Sequence, residues 1–214
     1  MELRLSVNLR EGTKESHRLA EQTSFIQTFF QGRLTLTVYR EFLLQLLHIY
    51  QALEACQQIH SRHDILGKIF FPSLFRTEAL RRDLNFYFGD DRWKEMQPTT
   101  ATESYVQRIN TLSNEWVDGL VAHHYTRYLG DLSGGQVLRR IVAKTFKLTS
   151  SKGLAFYDFP QIDNLSEFKD KYRITLDSMP VDKHLIERIV DEANLAFQLN
   201  RDVFDSMTDL SEAD

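Results

Sequence analysis

The chain has 214 residues, a formal net charge of −4 and one cysteine, Cys56. That length suits a single domain able to bury about 70% of the surface its unfolded form exposes, and one thiol excludes an intramolecular disulfide, so a reducing cytosolic or equivalent compartment is expected. The mild acidity removes any general attraction to nucleic acid, and with neither a long apolar run nor an apolar signal core after Met1, no membrane anchor is expected.

Four prolines, at 72, 98, 160 and 180, separate stretches with apolar residues at three- and four-residue spacing, the pattern of an all-α domain. Helices are expected over 11–30, 35–62, 77–88, 102–128, 135–146, 165–178 and 181–207, in one domain with its core at about 9–208. The first few and last seven residues are expected to be loose, and 149–164 reads as the longest irregular connection.

In the first helix His17 is accompanied by Arg10, Lys14 and Glu21 within a stripe of roughly 100°. A neutral imidazole there can bind a metal while Glu21 accepts a hydrogen bond from the other ring nitrogen, or the stripe is a solvated face with one i,i+4 pair. The second helix, with Phe42, Leu46 and Tyr50, reads as core or pocket wall. At its end Cys56, His60 and His63 share a stripe but lack a fourth zinc ligand. Arg81 and Arg82, and Arg139, Arg140, Lys144 and Lys147, form small basic patches suited to an acidic protein partner or simply to solvent. Farther along, His123 stands seven residues before Gly130, so periodicity alone leaves it competing with His17 as a ligand.

Tyr125 to Gln136 holds three of the nine glycines, at 130, 134 and 135. Each costs about 1 kcal/mol against alanine inside a helix. If the segment is helical, Gly130 and Gly134 share a face where missing Cβ atoms admit a flat ligand to the backbone, with Asp131 beside it. Otherwise it is a glycine-broken turn capped by Asp131. Beyond it, Lys169, Tyr172 and Arg173 form a cationic stripe with one hydroxyl, suited to carboxylates, and Phe197, Asn200 and Phe204 align as core packing or as an aromatic wall with a polar handle.

Leu9-Arg-Glu-Gly-Thr-Lys-Glu-Ser-His17, Phe70-Phe-Pro72 through Asn85-Phe-Tyr-Phe-Gly89, Tyr125 to Gln136, Phe168-Lys-Asp-Lys-Tyr-Arg173 and Ala196-Phe-Gln-Leu-Asn200 together resemble the haem oxygenases of the biliverdin-producing type. The resemblance covers about 9–208 and implies an all-α fold with haem between the first helix and a kinked distal helix. It makes His17 the iron ligand, oriented by Glu21, and gives the propionates to Arg10, Lys14, Lys169, Tyr172 and Arg173. Gly130, Gly134 and Gly135 then lie over the porphyrin, with Tyr125, Phe197 and Phe204 about it. Asp131 anchors a distal water network assisted by Tyr50, Arg127 and Asn200.

The activity implied is opening of haem, cofactor and substrate at once, at a meso carbon, with molecular oxygen and a reductant, to biliverdin, carbon monoxide and ferrous iron. The chain looks like the soluble bacterial or plastid form, for which ferredoxin is the implied electron donor. It departs from the family at Arg10, where lysine is frequent. A haem carrier with no turnover is the competing reading, and Asp131 argues against it.

Overall fold

The computed structural model describes the backbone of residues 4–211 and the side chains of 4–207. Residues 1–3 and 212–214, where looseness was expected, lie outside the described ones. Every regular element among the described residues is helical.

The N-terminal helix expected over 11–30 is divided into three: α1 (Leu5–Gly12), α2 (Lys14–Glu21) and α3 (Ser24–Phe30). Thr13 interrupts it at φ −107° and ψ 4°, its hydroxyl donating to the Leu9 carbonyl at 2.7 Å, while extended Thr23 sets the second break. A short polar side chain that bonds its own backbone competes with the helix ladder, and both breaks use one.

α4 (Leu36–Ile59) starts at Thr35, whose hydroxyl accepts the Val38 amide at 3.3 Å. It is buried on most of its circumference because α5 (Thr77–Phe88) and α6 (Thr100–Glu115) pack along it. Gly89 ends α5 in the left-handed region at φ 73°, a conformation that favours glycine. The helix expected over 102–128 breaks at Trp116, where φ −158° and ψ 81° turn the chain into a short 3₁₀ segment.

α7 (Leu120–His124) then passes through one π turn (Tyr125–Leu129) directly into α8 (Gly130–Thr145). Gly130, Gly134 and Gly135 all remain helical, and the glycines with positive φ are Gly32, Gly89 and Gly153 instead. This corrects the reading of a glycine-broken turn. The irregularity is the extra residue of the π turn, which re-aims the side chains on either side of it.

α9 (Leu165–Asp177) is capped by Asn164, and α10 (Lys183–Ser211) runs back along α1, α2, α3, α6 and α7. α4 and α10 are thus the two struts against which the short helices are set. The connection 149–164 is irregular as expected, apart from one 3₁₀ turn (Ala155–Tyr157).

Candidate active site

A cavity of about 450 Å³, within the usual range for small-molecule sites, opens between α2 and α8. α4 contributes Phe42 and Leu46, and α10 contributes Phe197, Asn200 and Phe204. Phe204 stacks on Phe25 with ring centroids 5.6 Å apart, so it is seated in the core as well as on the wall. Phe156 and Tyr157, from the irregular connection, complete the side next to Gly135. A groove of about 540 Å³ between α4 and α5, lined by Arg81, Arg82 and Lys94, contains none of the expected site residues.

His17 lies on the α2 side with its side chain 57% exposed, so the protein itself leaves the ring available. Its Nδ1 is 3.7 Å from the Glu21 carboxylate, and its ring meets Phe197 edge-on at 5.7 Å. Arg10 and Lys14 stand on the same side of the cavity, with Arg10 pairing with Glu11 at 2.8 Å. His123, the rival ligand, is sealed in the core: its Nε2 meets Glu192 at 2.9 Å, and burial pulls its pKa down. The structure therefore separates two histidines that periodicity left equivalent.

Opposite His17, α8 presents backbone. A Cβ built on Gly130 or Gly134 would meet nothing within 4 Å, so both glycines face open space. Asp131, between them, accepts a hydrogen bond from the Tyr50 hydroxyl. Arg127 donates its Nε to that hydroxyl at 3.2 Å and its Nη1 to Asn200 Oδ1 at 2.5 Å, while its guanidinium lies 5.0 Å from the Tyr50 ring centroid. Asn200 is held in turn, its Nδ2 donating to the Ala196 carbonyl at 3.0 Å. Four polar groups from three helices thus form one fixed chain. Burial pushes the Asp131 carboxyl up, against the pull of Arg127 and of the Tyr50 hydrogen bond.

Tyr125 also lines the cavity, and its hydroxyl is pushed up by burial while Thr13, Arg173 and Arg10 act against the shift. Arg173 is exposed, pairs with Asp170 at 2.8 Å and is not part of the wall, nor is Lys169. Tyr172 requires a correction. It is fully buried, with its hydroxyl 2.7 Å from His124 Nδ1 and its ring stacked on that imidazole, so it cannot reach a ligand carboxylate in this arrangement. Its position three residues after Lys169 suggested a shared face, but in α9 that face turns into the core at 172. The Cys56, His60 and His63 stripe holds no metal cluster among the described residues, and His60 instead meets Ser113 at 2.9 Å.

Phe156 and Tyr157 carried no assigned role before the structure, and neither did buried Arg76 and Glu54, which brace this side of the molecule. The available signal was an aromatic cluster, Phe156-Tyr-Asp-Phe-Pro160, inside a segment otherwise read as surface loop.

The site has an exposed imidazole facing a glycine-lined helix across an apolar slot, cations on one side and a buried carboxylate chain on the other. Comparison with known proteins identifies what the chain as a whole is similar to. A family model described as "Heme oxygenase" matches residues 3–206. A heme oxygenase of Guillardia theta is 44% identical over 204 residues, covering 95% of this chain and 86% of that protein. Heme oxygenase-2 from Synechocystis sp. PCC 6803, in complex with heme and NO, has a TM-score of 0.95 at 41% identity, over 98% of this chain and 87% of that one. The heme oxygenase from Leptospira interrogans has a TM-score of 0.93 at 39% identity, over 95% and 99% of the two chains.

Proposed function

The chain belongs to the haem oxygenase family, and from that premise we infer that its cavity takes haem as cofactor and substrate together and opens it at a meso carbon, giving biliverdin, carbon monoxide and ferrous iron. The observation that carries this reading is the empty space over Gly130 and Gly134 opposite His17: a cradle that any Cβ would intrude upon, facing a ring with a nitrogen to spare. Those residues fit a flat iron porphyrin. When bound, the iron supplies the activation of molecular oxygen.

The chain's own groups divide the remaining work. His17 would hold the iron through Nε2, since Nδ1 is the nitrogen that approaches Glu21, whose carboxylate would raise the basicity of the ring. Arg10 and Lys14 on the wall, Arg173, whose charge acts on wall residue Tyr125, and Lys169, one turn before Arg173 in α9, would supply positive charge for the two propionates and so set the in-plane rotation. Phe197, Phe42 and Phe204 exclude water from the faces.

On the distal side Gly130, Gly134 and Gly135 keep side chains out of the space above the ring. Asp131 holds a proton near that space and passes it through water. Tyr50 fixes one carboxylate oxygen by donating to it, and Arg127 and Asn200 hold Tyr50 in turn. With Gly130 and Gly134 open and the Asp131 carboxylate held by Tyr50, these residues would leave room above a bound ring and keep the acid fixed beside it.

Electrons come from a small acidic redox protein of the ferredoxin type, for which Arg140, Lys144 and Lys147 on and after α8 form a basic patch. No helix among the described residues is long and apolar enough to cross a membrane, and we place the enzyme in cytoplasm or plastid stroma.

The test is to load the protein with ferric haem and add oxygen, ferredoxin, its reductase and NADPH. Loss of the Soret band with release of biliverdin and carbon monoxide is expected. A Soret band that persists under these conditions would overturn the reading in favour of a haem carrier.

A further inference from the structure

Three side chains of the α5 region make no hydrogen bond to Asp131, Tyr50, Arg127 or Asn200, although the Arg76 charge is felt at Asp131, and all three hold the same distant segment. Arg76, Asp83 and Tyr87 stand at i, i+7 and i+11, one face of a helix. Asp83, 1% exposed, accepts the Ala155 amide on one carboxylate oxygen at 2.9 Å and the Phe156 amide on the other at 2.8 Å. Arg76, 3% exposed, donates to the carbonyls of Phe156 at 3.3 Å and Asp158 at 2.5 Å, and its guanidinium lies 3.9 Å from the Phe159 ring centroid. Tyr87 donates to the Gly153 carbonyl at 3.0 Å. From α8, Gln136 donates to the Tyr157 carbonyl at 2.9 Å.

The segment so gripped, 153–159, is the one that brings Phe156 and Tyr157 to the cavity, with Tyr157 Cδ1 3.7 Å from where a Gly135 Cβ would stand. α8 offers no side chain at its glycines, and these two rings stand on the wall with Leu129 and Leu138. Asp83 gives both carboxylate oxygens to this turn, and Arg76, whose Nε and Nη2 hold the Leu74 and Ser73 carbonyls, gives it Nη1, so two charged groups removed from water meet the backbone of one turn.

We propose that Asp83, supported by Arg76, is a positioning residue for the reaction: by holding the amides of Ala155 and Phe156 it fixes where the Phe156 and Tyr157 rings stand, and so which edge of the haem is open to attack. This rests on the haem-opening function inferred above. Asp83 touches neither haem nor oxygen and acts only through the turn. The ionised carboxylate is the form that accepts both amides, because protonation converts one oxygen into a donor facing an N–H. Burial pushes this carboxyl up to about 6, with the two amides and Arg82 pulling it down and Asp158 adding to the rise. The other titratable groups that face it are Tyr87 on α5, Tyr39 on α4 and Tyr157 on the turn itself.

The first arm of the test needs no turnover. In ¹⁵N-labelled apoprotein titrated from about pH 7.5 to about pH 5, the Ala155 and Phe156 amide resonances are expected to move together with a midpoint near 6, taking the Tyr157 ring signals with them, and not to move in Asp83→Asn. Flat amide shifts in the wild type would overturn the proposal. In the second arm haem-loaded wild type and Asp83→Asn are compared for biliverdin isomer composition. The minor isomers are expected to rise about threefold to tenfold, the span of one amide hydrogen bond. Should Asp83→Asn fail to fold, wild type at about pH 5 against about pH 7.5 gives the same comparison through protonation. Lower thermal stability with an unchanged isomer ratio would mean a merely structural residue and overturn the proposal. A wild type that makes no biliverdin would count against the haem-opening function and leave the amide titration to stand by itself.

Discussion

At Gly134 helix propensity and ligand binding pull in opposite directions. The residue is helical, and an added Cβ would meet nothing within 4 Å, so Gly134→Ala should stabilise the apoprotein by up to about 1 kcal/mol. The same methyl intrudes into the slot. Haem affinity is expected to fall about tenfold, a cost of the size that overpacking imposes. Thermal denaturation of the apoprotein and Soret titration measure the two effects, and a variant that lost stability without losing affinity would remove the reason given for the glycine. Asp131→Asn separates binding from chemistry in the same way. The isostere keeps the space and an oxygen for the Tyr50 hydroxyl but no carboxylate proton, so haem should bind as before while biliverdin formation falls about a hundredfold or more. An unchanged rate of pigment release in single-turnover measurements would refute the relay.

At the scale of elements, burial of charge joins the helices that frame the site. Glu192 of α10 takes Arg108 Nε at 2.9 Å from α6 and His123 Nε2 at 2.9 Å from α7, and it is 4% exposed. Burial alone would raise its carboxyl, but the hydrogen bonds from His123 and Arg108 outweigh that and hold it down at about 2. A carboxylate whose folded pKa is depressed contributes stability above its unfolded value, and that contribution is lost as pH falls from about 4.5 toward 2. Glu192→Ala should therefore cost about 3–5 kcal/mol at neutral pH, by leaving Arg108 and His123 without their partner, and should flatten the acid limb in that window. Urea denaturation at several pH values reads both. Asp83 acts with the opposite sign. Its folded pKa is raised, so the stability it lends is present below about 4 and is lost as pH rises to about 6.

Much of this architecture was legible beforehand, and the exceptions have identifiable causes. The seven apolar periodicities located every long helix, because α4 and α10 are set by packing faces that recur along the chain. Asp131, Tyr50, Arg127 and Asn200, from three stretches far apart in the chain, are joined by hydrogen bonds beside the cavity. The sequence pattern did not reveal the breaks at Thr13 and Trp116, which depend on one side chain bonding its own turn and on a residue forced out of helical geometry by tertiary packing. Tyr172 was misread because helical spacing says which residues share a face, not which way that face points. The turn at 155–157 was invisible for a third reason: its anchors, Arg76 and Asp83, are more than seventy positions away, and such pairings leave no local trace.

Across the whole molecule, the two sides of the cavity are not equally well secured. α8 emerges from a π turn whose Thr126, Arg127 and Tyr128 are buried, whereas α2 buries Ala20 alone within its eight residues. α2 is tied to α10 by Ser16, whose hydroxyl donates to Asn194 Oδ1 at 2.6 Å, while Asn194 Nδ2 holds the end of α1 through the Gly12 carbonyl at 3.1 Å. Elements with few buried contacts open at low free energy, and α2, with one buried residue, carries His17. Haem is then expected to act as a clamp, joining α2 to the rest through His17. At a free haem concentration of about 100 times Kd it should add about 2.7 kcal/mol, which for a chain of this size is a rise of about 5–10 °C in Tm. Hydrogen exchange locates the effect: amides of α2 should slow more than those of α4, which is already buried on most sides. In His17→Ala both the neutral-imidazole spectrum and the α2 protection should be lost, even at haem concentrations that fill the slot by apolar contact. Protection of α2 that survived in this variant would mean that the porphyrin faces, and not the iron bond, hold the proximal side closed.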